Sequence, residues 1–113
     1  MVRRVLAAAF VLSALTAPAA AQDPSASLAQ DLSNCAGAVA AIGNLDVLTQ
    51  PGGASGEWSD ALGRILARLN EQEGVEGMTG RYAASAARSY WSEQPQAERQ
   101  ATANACRERF GGE

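Results

Sequence analysis

The sequence predicts an all-α protein: a small three- to four-helix bundle stapled by one disulfide and preceded by a cleavable signal peptide. Three observations carry this reading. Alanine is abundant, aromatic residues make up only 5%, and β-branched residues are few, a balance that favours helix over sheet. Apolar residues recur at helical spacing in separate stretches. One cysteine falls in the first of these stripes and the other in the last.

Residues 1–21 have the parts of an export signal. Arg3 and Arg4 form a positive start, residues 5–15 are an apolar run without charge, and small residues follow. Ala19 and Ala21 satisfy the A-x-A cleavage rule, so Gln22 is the expected mature N-terminus. The apolar core is about half of the roughly 20 residues a membrane span needs, and Pro18 interrupts it, so no stable anchor is expected after cleavage. The expected location is therefore the periplasm or the medium, reached by the general secretory route. The formal charge of −3 becomes −5 once Arg3 and Arg4 are removed. Such a balance speaks against nucleic acid and anionic membranes as partners, since both require a basic patch.

The rest divides into a disordered polar lead-in (22–27), a helical domain (28–110) and a short tail (111–113). Leu28, Leu32, Cys35, Val39 and Ile42 recur at alternating steps of four and three, one stripe of an amphipathic helix. Ala29, Ala36 and Ala40 widen it with small side chains that permit close approach by a neighbour. Gly43 and Asn44 are suited to end it. After a turn-rich loop over 50–56, Ser55 or Ser59 is the expected cap of a second helix. That helix has Trp58, Leu62, Ile65, Leu66 and Leu69 on its apolar face and an Asp60–Arg64 pair at i,i+4. Gly74, Gly77 and Gly80 should break the chain before a third helix, capped by Thr79, whose apolar face carries Tyr82, Ala86 and Tyr90. Trp91 lies about 100° around the helix from Tyr90, off that narrow stripe. A fourth helix, capped by Ser92 with Pro95 in its first turn, has Ala103, Cys106 and Phe110 on its apolar face and ends at Gly111.

Two cysteines in an exported domain imply a disulfide, Cys35–Cys106. In an up-down-up-down bundle the first and last helices are antiparallel neighbours, which would let the two thiols meet.

Much catalytic chemistry lacks its residues. The chain contains no His and no Lys, so His-based triads, the haem attachment motif and Lys-dependent phosphate loops are excluded. With both cysteines bridged, no thiolate remains for catalysis or zinc. Glu71, Glu73 and Glu76 sit near the glycine run but do not match a calcium loop, so neither a metal nor another cofactor is expected. The expectation is a non-catalytic accessory protein that binds a protein partner in the periplasm. Trp58, Arg81, Arg88, Tyr90 and Trp91 are the candidate contact residues, being of the types enriched at binding hot spots. The alternative for Tyr90 and Trp91 is that they close the bundle against Phe110. Two further readings are a stress or chaperone-like protein and a small-ligand carrier. The general plan resembles the small acid-stress chaperones of the enteric periplasm, also exported, helical and held by one disulfide. That resemblance is architectural: no motif is shared, the cysteine spacing differs and Lys is absent.

Overall fold

The computed structural model describes residues 24–50, 52 and 55–111. The expected signal peptide, residues 22 and 23, part of the 50–56 loop and residues 112–113 lie outside these. The described residues form four helices, α1 (Pro24–Gly43), α2 (Glu57–Asn70), α3 (Met78–Ser92) and α4 (Gln96–Phe110), with no strand among them. Residues 24–27, expected in the lead-in, are the first turn of α1.

α1 is the hub. It packs along all three other helices, most extensively α3, whereas α2 meets α3 and α4 only along short stretches. An evenly squared up-down-up-down bundle would give α1 two neighbours; here it has three. Its buried residues explain this. Leu32, Cys35, Ala36, Ala38, Val39 and Ala40 wrap most of the helix circumference, so it is apolar on more than one face. The expected stripe of α2 is also the buried one, with Leu62, Ile65 and Leu69 inaccessible and Trp58 packed at the edge of the core.

The closest approach lies between α1 and α3. A Cβ built on Gly37 would lie 2.5 Å from the Arg88 amide nitrogen and would collide with Ala87 Cβ. Glycine is required there because the opposing atoms are backbone and cannot swing aside. α3 buries Gly80 and Ala84 and half-buries Ala87, and it turns its larger side chains outward. This corrects the expectation that Tyr82, Ala86 and Tyr90 form the inward face: all three are exposed. Tyrosine rings cannot fit where the two backbones nearly touch.

The termini of the helices also differ from expectation. α1 does end as expected: Asn44 takes the left-handed conformation (φ 55°), and the Leu45 amide donates to Ala40 O at 2.8 Å. α2, α3 and α4, however, follow Gly56, Gly77 and Pro95, none with a side-chain cap. Ser59 is instead buried one turn inside α2, where its hydroxyl and carbonyl both accept from Gln50 Nε2 at 3.0 Å. Arg64 donates to Gly111 O at 2.8 Å, which ties α2 to the end of α4.

Cys35 and Cys106 form the expected disulfide, with their Cα atoms 5.3 Å apart and 71 residues apart in sequence. Arg109 pairs with Asp31 one turn from the bridge, so α4 runs antiparallel to α1. In the chain-entropy view, closing a loop of this length contributes roughly 4 kcal/mol. Beyond the bridge Phe110 is buried, with the guanidinium carbons of Arg68 and Arg109 5.3 and 4.5 Å from its ring centroid.

Gly37→Ala is therefore expected to lower stability by about 1–3 kcal/mol, the usual penalty for overpacking. Gly63→Ala, in the interior of α2 with open space around the new Cβ, should instead raise it by up to about 1 kcal/mol. Urea midpoints at unchanged slope would report both; equal effects of the two substitutions would contradict a tight α1–α3 contact.

Candidate functional site

The five candidate contact residues do not gather into one patch. Trp58 belongs to the α2–α4 edge, its ring covered by the Arg107 guanidinium at 4.5 Å, which also pairs with Glu57 at 2.8 Å. The remaining four lie on α3 and divide into two roles. Arg81 donates to Val47 O at 2.7 Å and Arg88 to Asn44 Oδ1 at 3.2 Å, so both hold α3 against the chain leaving α1. Trp91 is half-buried and donates from Nε1 to Asn34 Oδ1 at 2.9 Å. These three therefore serve the α1–α3 contact.

Tyr90 is the exception. It is 56% exposed and meets the edge of Trp91 with ring centroids 5.1 Å apart. No ring contact joins either residue to Phe110, which is buried in the core with the Arg68 and Arg109 guanidinium groups against its ring. The alternative in which both aromatics close the bundle against Phe110 is thus corrected.

Tyr90 has companions that the sequence reading assigned to the core or did not single out. Met78 (45% exposed), Tyr82 (60%) and Ala86 precede it at steps of four, so the four residues form one solvent-facing stripe. Every exposed residue of α3 is uncharged: Met78, Thr79, Tyr82, Ala83, Ala86, Ser89, Tyr90 and Ser92. The helix has no acidic residue, and its two arginines are directed to α1's end and the segment after it. By contrast, the exposed positions of α2 and α4 include Glu57, Asp60, Glu98 and Glu108. An aromatic, charge-free helix face on an acidic protein has the composition of a binding surface.

Two cavities flank α3. The one between α2 and the start of α3 has a volume of about 380 Å³ and is lined by Gln50, Leu66, Leu69, Asn70, Val75 and Arg81 with three glycines and Ala67. The other, about 450 Å³, is a shallow groove of small side chains between α1 and α3, with Glu73 at its rim. Neither brings two carboxylates together. Among the described residues no three of Cys, Asp and Glu converge as a metal site, and Glu76 accepts from the Gly74 amide at 3.0 Å.

Comparison with protein-family models, characterised proteins and solved structures gives no match.

Tyr82→Ser should change stability by less than about 0.5 kcal/mol, as expected for an exposed side chain. Trp91→Phe, which removes the bond to Asn34, should cost about 1 kcal/mol. Thermal melts that reversed this order would place Tyr82, rather than Trp91, in the packing of α3.

Proposed function

We propose that the protein is an exported, non-catalytic module that binds a protein partner through the outer face of α3. The observation that carries this is the stripe Met78–Tyr82–Ala86–Tyr90, which is exposed although its residues are large and apolar enough to have formed a core. The position of the stripe follows from packing, and its composition suits an interface. Tyr and Met contribute large contact areas, and the absence of charge lowers the desolvation cost of covering them. A rigid helix also loses little entropy on binding.

The remaining features support export without catalysis. The full sequence offers no His or Lys, and both cysteines are consumed by the bridge. A disulfide closing most of the domain suits an oxidising compartment. Among the described residues no helix is long and apolar enough to cross a membrane.

The test is to express the full chain in a bacterium, with a photo-crosslinking amino acid at position 82 or 90 and, as control, at the exposed position Ala101 on α4. The expected result is a periplasmic product beginning at Gln22 that forms a discrete adduct from positions 82 and 90 and none from 101. A product retaining residues 1–21 in the cytoplasm would overturn the export reading. Equal adducts, or none, from all three positions would overturn the α3 reading.

A further inference from the structure

We infer that the partner of α3 is a second copy of this chain. Two copies close about a two-fold axis, and each seats its Met78–Tyr82–Ala86–Tyr90 row in the groove between α1 and α3 of the other. This rests on the reading of α3's outer face as a docking surface and names its occupant.

Shape is the first argument. Side chains on a helix stand in rows at steps of four, and two helices pack by setting the row of one into the furrow beside the row of the other. The exposed row of α3 is large at three of its four positions. The adjoining row is Thr79, Ala83 and Ala87, all small. Ala83 and Ala87 also form one wall of the groove of about 450 Å³, whose other wall is α1 with Ala29 and Ser33. A ridge and a furrow therefore lie side by side on one face. Such a face complements itself, and a two-fold relation satisfies both halves at once and closes the assembly at two.

The spacing within the row has the same property. Its midpoint falls level with residue 84, so an antiparallel second copy brings Tyr82 level with Ala86 of that copy, and Met78 level with its Tyr90. Each Tyr82 ring then faces a methyl group rather than another ring, and each thioether meets an aromatic side chain, a favourable contact.

Charge selects the same occupant. The formal charge, −3 for the whole chain and −5 without Arg3 and Arg4, makes copies repel one another over most of their surface. The exposed residues of α3 carry none of that charge, whereas α2 and α4 expose Glu57, Asp60, Glu98 and Glu108. A basic partner would be drawn to those acidic faces. A second copy must avoid them, and α3 offers the neutral alternative.

The area sets the strength. An aromatic side chain covers about 150–250 Å² when fully buried. Tyr82 and Tyr90 are 60% and 56% exposed, so the four tyrosines of a pair have roughly 350–550 Å² left to bury. The surfaces they cover on the opposite copy add about as much again, which brings the total near the lower bound of about 1,000 Å² for a specific interface. That suits a reversible dimer rather than a permanent one.

The test is sedimentation equilibrium of the oxidised protein, expressed as the full chain, from about 5 µM to about 1 mM. The expected result is a monomer–dimer equilibrium with a dissociation constant on the order of 100 µM and no larger species. Ala86→Glu places an unpaired carboxylate in the contact and should raise that constant at least about tenfold. Position 86 is exposed, so the fold is kept. Ala101→Glu, exposed on α4, should leave the constant unchanged. In a mixture of isotope-labelled and unlabelled protein, nuclear Overhauser contacts should join the Tyr82 ring of one copy to the Ala86 methyl of the other. A mass that stays monomeric to about 1 mM, or that climbs past two copies, would overturn the dimer. So would association that Ala86→Glu leaves intact. Photo-crosslinks from positions 82 and 90 separate this inference from the reading beneath it. An adduct of twice the chain's mass supports both, whereas an adduct with a different protein keeps the docking face and overturns the second copy as its occupant.

Discussion

The contact of Gly37 with Ala87 and the backbone at Arg88 is the constraint on which the rest of the arrangement depends. Two helices can approach this closely only where the side chains between them are nearly absent. α1 offers Gly37 and α3 offers Ala87 and the backbone at Arg88, while Gly80 at the start of α3 lies against Leu69 of α2. Once these faces meet, the rotation of α3 is set, and its large side chains have nowhere to go but outward. Arg81, Arg88 and Trp91 then hold that rotation from the flanks through bonds to Val47, Asn44 and Asn34. The disulfide plays a complementary part. It ties α4 to the same central helix, leaving α1 enclosed and α3 with a free outer face.

Much of this was legible in the sequence, and for a definite reason. The stripes of α1, α2 and α4 contain Leu, Val, Ile and Phe at helical steps, and these residues are buried in the structure or, like Leu28 and Ile42, packed partly buried against its core. The cysteine pair was legible because each member sits in one of those stripes. α3 was misread because it has two stripes. Met78–Tyr82–Ala86–Tyr90 is the more apolar by side-chain size, whereas Gly80–Ala84–Ala87 is the more compact. Burial of large apolar area usually decides the matter, but here the space available against Gly37 decided it. A pointer was present in the clustering of small residues on both helices. Glycine at 37, on the side of α1 opposite its large apolar stripe, gave it its sharpest form.

The helix starts show a second kind of limit. Ser55, Ser59, Thr79 and Ser92 all have the right chemistry for caps, yet the chain uses glycine or proline at those junctions. Ser59 is drawn inward by Gln50, a pairing between residues on either side of a loop that local sequence rules do not address. The cavity next to Gln50 is illegible for the same reason. Its wall combines the segment before α2, the second half of α2 and the start of α3, and only the folded chain brings Arg81 and Gln50 to one space. α3 thus presents aromatic side chains on one side, small side chains on another, and a guanidinium at the edge of a cavity.

The central claim is the rotation of α3, and solvent paramagnetic relaxation measures it most directly. With a small neutral nitroxide added to the dilute oxidised protein, the ring protons of Tyr82 and Tyr90 and the methyl of Ala86 should broaden strongly. The methyls of Ala36 and Ala84, fully buried between the helices, should be spared. Protected tyrosine rings together with a broadened Ala84 methyl would show the opposite rotation and contradict the account.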